Sequence, residues 1–286
     1  MEMHEIRPEI SQALLTNPGI GFIAAPELMD AEPDALRDSR GQIVAPYKFT
    51  PNGRTWNHPD SGVLFCSCRW KDIEPLQGTY DWRCLEEKLD AAAALGCTCI
   101  VRISPYALSA QEDIPAWLRM RYPEEPEFPF WRIDPNTTEY PRLWAALIRN
   151  FAARYDGDPR ITSVDMAIVG AWGEGGGTEN MEENAMKTVI AAYMEGFPHT
   201  PLTALLHDPK SLACIRAFPK QVGFRVDCLG DMGGFHGDRW SHMLDFYPEN
   251  IQNFQMGDAW QEAPVVFEAC WHMNDWYLQG WDIDYI

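Results

Sequence analysis

Positive charge is scarce in this chain. Its 286 residues carry 23 Lys plus Arg against 42 Asp plus Glu, a formal charge of −19. Nucleic acids and anionic membranes are bound by clustered Lys and Arg, and no such run exists here, so neither is expected as a partner. Long apolar runs are missing too. None approaches the roughly 18 residues that a membrane-spanning helix needs. The start, Met1-Glu2-Met3-His4-Glu5, has neither the basic residues nor the apolar stretch of a secretory signal, so a cytoplasmic location is expected. The G-x-G-x-x-G and G-x-x-x-x-G-K-[ST] phosphate loops are absent, which disfavours a doubly wound nucleotide-binding sheet. The metal-binding spacings H-x-H and H-E-x-x-H are also absent. No metal and no cofactor are expected, and a metal-dependent barrel hydrolase is only a third alternative.

What is present is an ordinary globular composition, 46% apolar and 23% charged, with 12 Trp. A chain of this length buries about three quarters of its unfolded surface and needs no metal or disulfide to stay folded. The 8 Cys lie in apolar runs, including the pairs Cys66/Cys68 and Cys97/Cys99. Residues i and i+2 of a strand share a face, so these read as reduced core thiols rather than a disulfide framework or a metal site.

Strand patterns alternate with helix patterns along the chain. Strands are expected at residues 20–23, 63–70, 98–103, 164–169, 202–206, 222–228 and 265–270. Between them lie helices opened by Asp81 and closed at Gly96, then at 140–155, and from an Asn180/Glu183 capping box to 195. Two more are expected at 210–218 and about 238–246. This order means a parallel sheet with crossover helices, and seven units in this length point to a single (β/α)8 TIM barrel over residues 1–286. Only seven strands are clear, so strand eight is expected to be missing at the C-terminal side. An open barrel edge would then be exposed, and homo-oligomer formation through it is expected.

Active groups of such barrels sit at the C-terminal ends of the strands. The residues found there are Arg69, Trp70, Arg102, Glu174, His207, Asp227, Asp231, Glu268 and Trp271. Two glutamates carry the chemistry. Glu174 follows strand four within Trp172-Gly173-Glu174-Gly175-Gly176-Gly177, where small residues leave a cleft open. Glu268 interrupts an apolar strand seven, and a buried carboxylate there needs a reason. Strands four and seven face each other across a barrel, so the two carboxyls are expected about 5–5.5 Å apart, as in a retaining glycosidase. Arg69, Trp70, Arg102, Trp172, His207, Asp231 and Trp271 are the expected substrate-binding residues, with Arg69 beside Glu268. Glu74 reads as a residue that orders its own turn.

The stretch from Trp70 to Trp82, W-K-D-I-E-P-L-Q-G-T-Y-D-W, resembles the W-x-x-I-E-P-x-x-G-x-Y-D-W segment after strand two of family 42 β-galactosidases. Asn17-Pro18-Gly19-Ile20-Gly21-Phe22 and Trp172-Gly173-Glu174 are similar to segments of bacterial barrel proteins related to the same clan A of glycoside hydrolases. The resemblance runs from Asn17 to about Trp281. It implies a retaining hydrolase of β-linked sugars, with a carbohydrate as partner. Glu174 would be the acid/base, Glu268 the nucleophile, and Arg69 the strand-two arginine that keeps the nucleophile ionised. The sequence departs from the clan at Gly173, where an Asn usually binds the sugar 2-hydroxyl. It departs again after strand six, where Asp227, Asp231 and His236 stand in a region that often supplies a Tyr. The alternative reading is a non-catalytic barrel that binds carbohydrate in the same cleft.

Overall fold

Strands that are buried on both faces pair best in parallel, with helices as their cover. In a computed structural model of the chain, residues 23–24, 62–107, 114–121, 134–137, 139–229 and 241–269 are described. They form one parallel sheet of seven strands in sequence order. The strands are β1 (Ile23–Ala24), β2 (Val63–Arg69), β3 (Thr98–Ser104), β4 (Ile161–Asp165), β5 (Leu202–Leu205), β6 (Gly223–Leu229) and β7 (Val265–Ala269). Unbroken sequential parallel order with helical crossovers is the architecture of a (β/α)8 barrel, here incomplete: among the described residues no pairing joins β7 to β1.

The helices are α1 (Trp70–Ile73), α2 (Arg83–Ala94), α3 (Ala116–Arg119), α4 (Glu139–Tyr155), α5 (Glu183–Gly196), α6 (Pro209–Ile215) and α7 (Tyr247–Asn253). None of them, among the described residues, is long and apolar enough to cross a membrane. The apolar stripe of α4 is the main cover: Leu143, Trp144, Leu147, Ile148 and Phe151 recur at helical spacing and are all buried. The outer face of β2 turns its thiols to this layer. Cys66 meets Cys99 with 2.7 Å between sulfurs, and Cys68 meets Cys84 of α2 at 3.7 Å. None of these four forms a disulfide; Cys66, Cys68 and Cys99 are packed in the core and Cys84 lies against it.

Several expected boundaries move: α2 is capped by Trp82 rather than Asp81, and α6 ends at Ile215 rather than 218. Strand four ends at Asp165, not at 169, because Met166–Val169 leave the sheet. Their carbonyls are captured by the helix layer: Trp144 Nε1 donates to Ala167 O at 2.8 Å and Tyr140 Oη to Ile168 O at 2.6 Å. The Asn180/Glu183 capping box does not form. Asn180 closes a short 3-10 turn, and α5 begins at Glu183 after an extended Glu182. The last helix falls later than expected, since a π-helical turn at His242–Phe246 precedes α7. A Pro at the start of α7 has no N–H to offer and suits a first helical turn.

Candidate active site

The inner face of the sheet is charged where the outer face is apolar. Alternation puts Arg102 of β3, Asp165 of β4, and Arg225 and Asp227 of β6 on this inner side. All four are buried. Such charges are tolerated only when paired, and here they are. Arg102 Nε donates to Asp165 Oδ2 at 2.7 Å, and Arg225 Nε lies 2.9 Å from the same oxygen. Thr203, in register with Asp165, donates to its other oxygen at 3.3 Å. Arg225 also pairs with Asp227. Arg102 stacks over Phe65 of β2, 4.7 Å from the ring centre, which fixes β2's inner face. Burial pushes the Asp165 carboxyl up, but the two guanidiniums outweigh it and hold it below the usual range.

The two glutamates lie above this layer. Glu174 Oε1 is 3.8 Å from Arg102 Nη1, and Glu268 Oε2 is 3.8 Å from Arg225 Nη1. Side-chain exposure is 35% for Glu174 and 53% for Glu268, so both are open to a ligand. Burial first, and then the negative charge of Glu268, push the Glu174 carboxyl above its ordinary value against the pull of both arginines.

The loop carrying Glu174 is built from backbone that folds back on itself. Gly175 N donates to Val169 O at 3.0 Å, and Trp172 N to Tyr106 O at 2.9 Å. Ser104 Oγ and Arg102 Nη1 both donate to Trp172 O, at 2.8 and 3.3 Å. The Trp172 ring is left 46% exposed beside the cleft. Gly173 has φ +82°, and a Cβ there would sit 2.7 Å from Ala167 Cβ and 3.2 Å from Arg102 Cδ. Position 173 thus has no room for a side chain unless Ala167 and Arg102 shift.

His207, at the end of β5, borders the same site. Its ring lies 5.1 Å from that of His242, and its Nδ1 is 3.9 Å from Asp227 Oδ2. Burial, then His242 and Arg225, hold its pKa down to about 3, so it is neutral at physiological pH. Among the described residues no group of three His, Cys, Asp or Glu could hold a metal ion.

Two expectations are corrected. Trp70 is not in the cleft. It is fully buried in the wall between sheet and helices, 5.1 Å from Trp144 and about edge-on to Tyr140 and Trp117. Its Nε1 donates to Glu74 at 2.6 Å, and Gly78 N donates to the other Glu74 oxygen at 2.6 Å, which is how Glu74 orders its turn. The second correction concerns the cation beside Glu268, which is Arg225 and not Arg69. Arg69 is half-buried at the end of β2 and pairs with Asp72 at 3.7 Å. Asp231, His236 and Trp271 lie outside the described residues. Asp165 and Arg225 were missed from sequence, although each interrupts an apolar strand as Glu268 does, and the same signal marks them.

Residues 62–166 match the model of glycoside hydrolase family 42, the β-galactosidases. The matched span holds β2 to β4 with the W-x-x-I-E-P stretch, Arg102 and Asp165, and so bears out the family 42 resemblance over that part of the chain. No curated protein matches the chain in sequence. Among solved structures, the catalytic domain of a β-amylase from Paenibacillus polymyxa is 9% identical, with a TM-score of 0.51 over 73% of this chain and 78% of that one. Endo-glycoceramidase II from Rhodococcus sp. is 13% identical with a TM-score of 0.42, over 73% of this chain. The chain spans 65% of that structure's length. Xylanase XynB from Paenibacillus barcinonensis is 12% identical with a TM-score of 0.40, over 74% of this chain and 77% of that one. The β-amylase similarity shows the barrel fold.

Proposed function

We propose that residues 1–286 form one glycosidase-type domain that hydrolyses a β-linked sugar with retention, Glu174 acting as acid/base and Glu268 as nucleophile. The observation that carries this reading is the unequal environment of the two carboxyls over one shared cation layer. Glu174 is the more buried of the two and is biased toward its protonated form, as an acid that must give a proton to a leaving oxygen requires. Glu268 is more open and faces the Arg225 cation, which suits a carboxylate that attacks in its ionised form.

In the first step Glu174 protonates the departing glycosidic oxygen while a Glu268 oxygen attacks the anomeric carbon, giving a glycosyl-enzyme. In the second, Glu174 takes a proton from water, and that water displaces Glu268. Asp165, Asp227 and an ionised Glu268 outweigh Arg102 and Arg225 by one negative charge, which favours the positive charge that develops on the sugar ring. The exposed Trp172 ring offers a platform for a pyranose face, and neutral His207 a hydrogen-bonding edge. Arg69 and Arg102, with Asp231 and Trp271 beyond the described residues, complete the proposed substrate-binding set.

The test is a panel of nitrophenyl glycosides with the wild type, Glu174→Gln and Glu268→Gln, followed by NMR of the anomer first released. Hydrolysis with retention, lost in both variants, is the expected result. Gly173 favours a second reading, a barrel that binds carbohydrate without cleaving it, because the usual 2-hydroxyl ligand has no room there. Sugar binding by calorimetry with no turnover of any glycoside would select that reading.

A further inference from the structure

Asp165 touches neither glutamate, yet it holds both of their arginines. Its side chain is 1% exposed at the end of β4. One oxygen, Oδ2, takes the Nε of Arg102 from β3 at 2.7 Å and faces the Nε of Arg225 from β6 at 2.9 Å. Arg102 is thereby hydrogen-bonded at its stem side. Arg225 is ion-paired there, its Nε having no hydrogen-bond partner among the described residues. Arg102 Nη1 also donates to Trp172 O at 3.3 Å, and Arg225 pairs with Asp227. The Nη1 end of each guanidinium stands 3.8 Å from one glutamate, Arg102 under Glu174 and Arg225 under Glu268. That distance is outside hydrogen-bond range, whereas a free guanidinium closes on a carboxylate at about 2.7–2.9 Å. Arg102 also has a spare donor, since its buried Nη2 has no hydrogen-bond partner among the described residues.

We propose that Asp165 is a positioning residue of the site: by anchoring both guanidiniums below the cleft it keeps Arg102 from closing on Glu174, so that Glu174 can carry a proton. The proposal rests on the acid/base role given to Glu174 above. Among the described residues, the charged and titratable groups around Glu174 come from β3, β4, β6, β7 and the turn after β5. They are Arg102 on β3, Asp165 on β4, Arg225 and Asp227 on β6, Glu268 on β7, and after β5 the neutral His207 with His242 behind it. Neutralising Asp165 removes a repelling charge and frees an attracting one. Both changes stabilise the Glu174 carboxylate.

The experiment is a 13C-carboxyl NMR titration of Glu174 in protein labelled at the glutamate carboxyl, with the signal assigned through Glu174→Gln. In Asp165→Asn the Glu174 pKa is expected to fall by about 1–3 pH units. The basic limb of kcat/KM should move down by the same amount. Asp165→Asn leaves two buried cations without their shared partner and can compromise folding, so a second variant is included. Asp165→Asn/Arg225→Met removes one charge of each sign and leaves Arg102 without its carboxylate, held by Trp172 O and the Phe65 ring; its Glu174 pKa is also expected to fall. An unmoved or raised Glu174 pKa in a folded variant overturns the proposal. The titration needs no turnover. A wild type inactive on every glycoside would overturn the functional reading while the titration still decides the role of Asp165. An active wild type whose Glu174 ignores both substitutions would overturn only the positioning role.

Discussion

Two stretches of this chain pair a tryptophan with a glutamate, and the fold uses them in opposite ways. In Trp70–Glu74 the indole is fully buried and donates to the carboxylate, which also takes Gly78 N. Every polar group has a partner inside the protein. In Trp172–Glu174 the backbone is tied down at Tyr106, Ser104 and Arg102, but the ring and carboxyl are left open to the cleft. Among the described residues the Glu174 carboxyl has only a cation at 3.8 Å. The lesson is one of satisfaction: a glutamate with both oxygens hydrogen-bonded by its own turn holds structure, and one suspended above a cation layer can do chemistry.

Substitutions that act on one stretch and spare the other sharpen this contrast. The largest effect is expected from Glu174→Gln, with kcat down about 10²–10⁴-fold and the melting temperature unchanged. Glu74→Gln should invert the pattern, costing about 1–3 kcal/mol of stability with kcat intact, as urea unfolding and steady-state kinetics would show. A Glu74→Gln protein that is stable but inactive would break the comparison.

Trp70→Ala should destabilise by about 3–5 kcal/mol, since it empties an aromatic wall where no solvent reaches. Gly173→Asn is expected to cost about 1–3 kcal/mol in urea unfolding, because its Cβ meets Ala167 at 2.7 Å.

Acid sensitivity should belong to the cleft side. The His207 pKa is depressed from 6.5 to about 3 in the folded state. Between those values the unfolded chain binds the proton and the folded one does not, so stability falls as pH drops from 6.5 toward 3. His207→Gln should flatten the dependence of melting temperature on pH across that window. The smallest effect is expected from Trp172→Ala: a several-fold rise in KM, with stability changed by less than about 1 kcal/mol.

Much of this was legible beforehand because it follows from local pattern. Seven strands were expected and seven pair in sequence order, since β-branched and apolar runs separated by helical periodicity leave little choice but parallel pairing. Glu174 and Glu268 stood out as charges where an apolar strand or a glycine loop gave no structural excuse. The errors also have causes. Apolar 166–169 continues the strand pattern, yet Tyr140, Trp144 and Tyr193 draw its backbone out of the sheet. Trp70 sits at a strand end, where cleft and wall are one residue apart, and sequence does not show which way the chain turns.

The sequence by itself determined the order of elements, the apolar stripe of α4 and the strand ends that carry carboxylates, because these depend on spacing within about 20 residues. Tertiary structure alone decided that Arg225 and not Arg69 faces Glu268, and that Arg102 and Arg225 share one oxygen of Asp165. Those partners come from β3, β4, β6 and β7. Whether their side chains meet depends on strand stagger and on inward or outward facing, which are fixed only when the sheet is assembled.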